Sequence, residues 1–247
     1  MKKRADQANH RGVFRAGLIL LLSLSLASCG APARKKDGTR ISSDFSVSSL
    51  AKTDIDMVAE AHFQQTFGHL RTLMEKLYRR NPREWRKTGQ PSGEAVVALV
   101  FDARHDWRFK ELNYLKGADA IHLAFREDYQ GDRVLAYIAG LATMTLAAYN
   151  DKSEFFVMDE LAPQKLYNSA RNVEIAAWKL SNARDPRGEL YLLSNETEGA
   201  VKNLSFEREF GKIIAQQDML ARIIAEKTNR GVVRVIQSMA TAVFLPI

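Results

Sequence analysis

His62, His69, His105 and His122 are the side chains in the body of this 247-residue sequence best suited to acid–base or metal chemistry, and their spacing limits what they can do. His62 and His69 lie seven residues apart. On a helix they share a face but sit about 10.5 Å apart along the axis. A zinc ion takes each ligand at roughly 2 Å, so this pair cannot close on one ion. Helical metal pairs use an i, i+4 spacing, as in H-E-x-x-H, and no such pair occurs. The sequence therefore predicts no metal site and no cofactor. His105-Asp106 are neighbours in sequence, which alone does not make a base and its orienting carboxylate. There is no G-x-S-x-G elbow and no Walker A loop.

The densest charged stretch runs from Arg126 through Glu127, Asp128, Tyr129, Gln130, Gly131 and Asp132 to Arg133. It joins two apolar segments. The plain reading is a capped, salt-bridged connection between helices. The sharper reading is a polar site at the rim of the core, with His122 one turn before Arg126. Asp128 and Asp132 then act on a cation, or Arg126 on an anion. The pattern is not an EF-hand loop, because the alternating acidic ligands and the terminal Glu are missing.

The elements that must position these residues read as helices. Thr53 is placed to cap a long helix to about Arg80, with Asp56 in its first turn. Phe63, Phe67, Leu70, Met74 and Leu77 recur at spacings of four and three, which is one apolar helix face. Asn81-Pro82 stops it. A shorter helix starts at Ser92, and another covers about Ala118–Arg126. The aromatic, charged stretch His105–Leu115 has no assignable pattern. Val134–Tyr149 holds sixteen residues without a charge and reads as a buried helix with Asp132 as its N-cap, a membrane hairpin being the alternative. Ala136, Ala139, Gly140, Thr143 and Ala147 put small side chains on one of its faces, which lets a neighbour approach closely.

Leu166, Ala170, Val173, Ala177 and Leu180 mark a helix from Pro163 to about Asn182, and Asp185-Pro186-Arg187-Gly188 is a turn. Phe206, Phe210, Ile213, Gln217, Leu220 and Ile224 mark a last helix, with Ser205 as its expected cap. Phe155–Met158 and Glu189–Leu193 are the strand-like runs; they either pair as a short two-stranded ribbon or pack as loops. The apolar end, Val243–Ile247, is expected in the core. The fold class is thus mostly α, a helical bundle-like domain over residues 53–247.

The segment before that domain reads as an address. Lys2, Lys3, Arg4, Arg11 and Arg15 form a basic start, and Ala16–Leu26 is apolar apart from Gly17, Ser23 and Ser25. Eleven residues suit a signal segment and fall short of the ~20 that span a bilayer. Leu26-Ala27-Ser28-Cys29 follows, and it resembles the lipobox of bacterial lipoproteins. The resemblance implies cleavage between Ser28 and Cys29, a diacylglyceryl thioether on Cys29 and fatty acylation (palmitate or similar) of the new amino terminus. Each buried CH₂ contributes about 0.8 kcal/mol, so several acyl chains hold where one is marginal. Cys29 is the sole cysteine, which excludes an internal disulfide.

Removing residues 1–28 takes away five Lys/Arg and one acid, leaving 31 basic and 28 acidic residues, a net charge of +3. Clustered basic charge of the kind that binds nucleic acid is lacking. Residues 29–52, with Arg34, Lys35, Lys36 and Arg40, read as a lipidated tether near the membrane surface.

The stretches Leu123–Tyr129, Arg133–Ala148, Asp159–Trp178 and Asn229–Ile247 resemble a family of uncharacterised proteobacterial lipoproteins. That resemblance implies a Gram-negative cell envelope, and Gly30 after the cysteine points to the outer membrane, facing the periplasm. The expected function is binding or scaffolding there with an envelope protein partner. The alternative is a periplasmic hydrolase built on His122 and Asp128.

Overall fold

The computed structural model describes residues 53–156, 160–197, 200–234 and 243–247. Seven α-helices order them: α1 Asp54–Arg80, α2 Pro82–Arg86, α3 Gly93–Asp102, α4 Gly117–Ala124, α5 Arg133–Ala148, α6 Pro163–Asn182 and α7 Ser205–Thr228. The caps follow from local chemistry. Thr53 and Asp56 form a reciprocal capping box at the start of α1. Ser92 Oγ accepts from the Ala95 N–H at α3, and Asp132 accepts from the Val134 and Leu135 N–H groups at α5.

α5 sits at the centre. It touches α1, α2, α4 and α6, and fourteen of its sixteen residues are buried. An apolar helix covered on every side needs no polar stripe. None of the described helices is long and apolar enough to cross a membrane. The small face predicted on α5 receives α4. A Cβ on Gly140 would lie 2.7 Å from the Gly117 carbonyl oxygen and 2.8 Å from the Ile121 nitrogen, so hydrogen alone fits there. Gly117 itself has φ +54°, which glycine adopts without strain, and its N–H donates to Thr143 Oγ1 at 2.7 Å.

α6 and α7 pack on each other, and α7 also lies along α1. The stripes expected on α6 and α7 are buried in full, Gln217 included; its Nε2 reaches Thr145 Oγ1 on α5 at 3.4 Å.

Three expectations need correction. Ser205 does not cap α7: the Asn203 side chain accepts from the Ser205 N–H and the Asn195 side chain from the Phe206 N–H. Glu189–Leu193 does not form a ribbon with Phe155 and Phe156, while Val157 and Met158 lie outside the described residues. It folds back on its own turn instead, through the Tyr191 N–H to the Ala183 carbonyl and the Arg184–Leu190 bridge. The end of the chain is not buried in the core. Phe244, Leu245 and Ile247 are half-buried, and Val243 and Pro246 are exposed.

The stretch around His105 owes its irregular path to left-handed backbone at Asp106 and Trp107, and again at Asn113 and Tyr114. Its rings pack together, with Trp107 edge-on to Phe67, Phe101 and His105 at centroid distances of 5.3 to 5.6 Å.

Candidate functional site

The four residues singled out between His122 and Asp132 go to three different places. Asp132 is buried at the start of α5. Besides its two cap bonds it accepts from the Tyr78 hydroxyl at 2.6 Å. Burial pushes its carboxyl pKa up, while the Tyr78 hydroxyl and the cap N–H groups pull the other way. Arg126 and Asp128 are exposed and bonded to each other through both carboxylate oxygens, which holds the Asp128 carboxyl below its ordinary range. His122 faces elsewhere, edge-on to Phe244 at 5.3 Å. Although the residue is exposed, partial desolvation of its ring, then the charge of Lys179, lower its pKa. The structure thus gives Asp128 an arginine partner and His122 an aromatic one, and does not bring the two together.

Next to Asp132 lies a polar hub that sequence spacing did not suggest. Glu84 is 1% exposed and accepts from the Arg133 N–H at 2.9 Å, Lys87 Nζ at 2.7 Å and Arg83 Nε at 3.2 Å. The Arg133 guanidinium donates to the Ala124, Arg126 and Tyr129 carbonyls and stacks 4.6 Å from the Tyr191 ring. A cavity of about 430 Å³ opens beside it, rimmed by Arg83, Lys87, Glu127, Asp185 and Arg187. Arg187 is bonded to Asp185 there. The hub therefore fastens α2, α5 and the loop that joins α4 to α5.

The other histidines are similarly engaged. His62 Nδ1 lies 3.1 Å from the Gln216 carbonyl and His69 Nδ1 lies 2.8 Å from Glu209 Oε2, so both tie α1 to α7. His105 Nδ1 accepts from the Trp107 N–H, which leaves Nε2 to donate to the Val100 carbonyl at 2.7 Å. Among the described residues no three His, Cys, Asp or Glu side chains are grouped to hold a metal ion.

A serine–lysine pair joins α1 and α7. Lys76 Nζ donates to Ser205 Oγ and lies 5.0 Å from the Phe206 ring, and burial lowers its pKa. Such a pair can serve as nucleophile and base. Acyl transfer also needs N–H donors for the oxyanion. The N–H groups of Ser205 and Phe206 are already taken by Asn203 and Asn195.

A row of neutral amides on α6 forms the remaining arrangement. Gln164, Asn168 and Asn172 follow at intervals of four residues, so they share one face. Asn172 Oδ1 accepts from the Leu245 N–H at 2.6 Å and its Nδ2 donates to the Leu245 carbonyl at 2.9 Å. Asn168 Nδ2 donates to the Pro246 carbonyl at 2.8 Å. Gln164 repeats the pair of hydrogen bonds on Val233, accepting from its N–H at 2.8 Å and donating to its carbonyl at 3.1 Å. Beneath the strap formed by residues 243–247 is a cavity of about 340 Å³, with Gly117, Ala118, Met144 and Ala147 among its walls. These amides were missed because they stand between the apolar positions of the α6 stripe, where polar residues are ordinary. Their spacing was the one visible signal.

A larger cavity of about 820 Å³ lies where α6 meets the end of α7. Three ion pairs border it, Arg171 with Asp218 at 2.6 Å, Arg222 with Glu226 at 2.8 Å and Arg230 with Glu160 at 3.1 Å, and Arg234 lines it too.

No protein-family profile matches the sequence, and neither a curated protein nor a solved structure matches it.

Proposed function

We propose that this chain is a lipoprotein of the Gram-negative cell envelope, anchored through lipid on Cys29 to the outer membrane, and that its helical domain works in the periplasm by binding or scaffolding. The observation that carries the anchor is Cys29 itself: the sole cysteine, directly after Leu26-Ala27-Ser28 and an apolar run with a basic start. The binding reading is supported by how the reactive side chains are used. Asp128 is held by Arg126, His122 lies against Phe244, and the N–H groups beside Ser205 are capped. Among the described residues, the α6 amides and the open cavities offer surfaces for recognition.

Metabolic labelling with a fatty-acid analogue tests the anchor. The wild-type chain incorporates label and fractionates with membranes, and Cys29→Ser does neither; full membrane retention of the variant refutes it. Alanine at His122 or Asp128 is expected to leave function in cells intact. Loss of function with stability preserved would instead support the hydrolase built on those two residues.

A further inference from the structure

We infer that the amide-bearing face of α6 is a groove that reads extended main chain, filled in cis by residues 243–247 and able to take an extended apolar segment of an envelope partner in their place. This deepens the binding reading and rests on it.

Asn172 meets Leu245 as one strand meets another, with one N–H accepted and one carbonyl bonded. Asn168 adds the next carbonyl, that of Pro246. All three bonds go to main chain, so they fix the path of a segment without selecting its side chains. Gln164 makes the same paired contact on Val233 and donates to Asn168 Oδ1 at 2.8 Å, which makes the amide row continuous.

Two features say what the occupant is. Asn172 is 1% exposed and Asn168 8%, so both amides are buried polar groups. Leaving such a group buried and unpaired forfeits its hydrogen bonds to water with nothing in return. Whatever displaces the strap must therefore offer N–H and carbonyl groups in the same places, as an extended peptide does and a lipid chain does not. The strap also fits its seat loosely. Val243 is 64% exposed, and about 340 Å³ stays open beside Phe244, Leu245 and Ile247. Gly117, Ala118, Met144 and Ala147 of α4 and α5 give that space small or apolar walls, and Lys116 and Asp151 line it as well. A segment with larger apolar side chains fills it better, and one without a proline can offer an N–H where Pro246 has none.

The test uses the full lipidated chain in detergent and a fluorescein-labelled peptide copying residues 242–247, read by fluorescence anisotropy. Leu245→Pro removes the N–H that Asn172 accepts and loosens the strap. This variant is expected to bind the peptide at least tenfold tighter than the wild type. Adding Asn172→Leu is expected to abolish that binding, as is methylating the peptide nitrogen that corresponds to Leu245. Equal binding by wild type and Leu245→Pro, or none by a folded Leu245→Pro chain, overturns the inference. Should Leu245→Pro fail to fold, hydrogen exchange of the wild type decides: the Leu245 amide is expected to exchange at least a hundredfold faster than that of Leu70. Equal rates overturn the groove, because the strap then never vacates it. Cross-linking of the intact chain to an envelope protein reports on the binding reading separately, so the two can fail independently.

Discussion

The two long faces of the core are held in opposite ways. Around the start and middle of α5 the contacts are tight and specific: Gly140 lets α4 in, Asp132 caps the helix, and Glu84 and Arg133 collect bonds from several segments. At α6 neutral amides hold main chain that is half-exposed and leaves space beneath it. Charge buried with full pairing fixes one geometry, because any change strands an ion. Amides that bond only to main chain fix a path and tolerate a change of occupant. The first region therefore reads as framework and the second as the exchangeable surface.

Breaking the framework should have the largest effect. Gly140→Val forces side-chain atoms into the Gly117 carbonyl and the Ile121 backbone. Overpacking usually costs about 1–3 kcal/mol, and more where backbone must move. We expect loss of cooperative unfolding in circular dichroism; a native-like transition would count against the close approach. Asp132→Ala removes two cap bonds and the partner of Tyr78. The expected cost is about 3 kcal/mol, read from the urea midpoint.

The α6 face should respond less. Deleting Phe244–Ile247 is expected to lower stability by about 2 kcal/mol, since it uncovers apolar surface and unpairs Asn168 and Asn172. Unchanged thermal stability would show that the strap is not seated.

The strap region should also carry a pH signature. The folded-state pKa of His122 lies below 6.5, because partial desolvation of this exposed residue and the charge of Lys179 disfavour its protonation. The unfolded chain therefore takes up the proton at higher pH than the folded one. Protonation favours unfolding, so the His122 contribution to stability rises as pH climbs through the folded pKa towards 6.5. Buried Asp132 acts in the opposite sense above 3.8, since its folded-state pKa is raised. The difference between wild type and His122→Phe isolates the histidine, and a difference that does not change with pH would contradict this assignment. Smallest of all, Arg126→Ala breaks a fully exposed pair and is expected to leave the urea midpoint unchanged.

The helices were legible because periodicity and caps are local. Thr53, Ser92 and Asp132 each signal a start within four residues of the helix they cap, and the α6 and α7 stripes report burial directly. Residues whose partners lie far along the chain were not legible. Glu84 looks like an ordinary first-turn acid until Arg133 arrives from 49 residues away. Asn172 looks solvent-facing until Leu245 arrives from 73 residues away. Ser205 misled because the loop before it supplies better acceptors in Asn195 and Asn203. The end of the chain misled because apolar composition predicts covering without saying which side of a segment is covered.

The position of α5 also constrains the order of assembly. It is enclosed by α1 and α4, which precede it in sequence, and by α6, which follows it. A chain that has emerged only as far as Ala148 carries an almost uncharged rod with one flank still bare, and nothing already made can cover it. Completion of the core waits for the last third of the sequence. A nascent chain of this design stays unfinished until α6 and α7 have been made, which is compatible with the export proposed above.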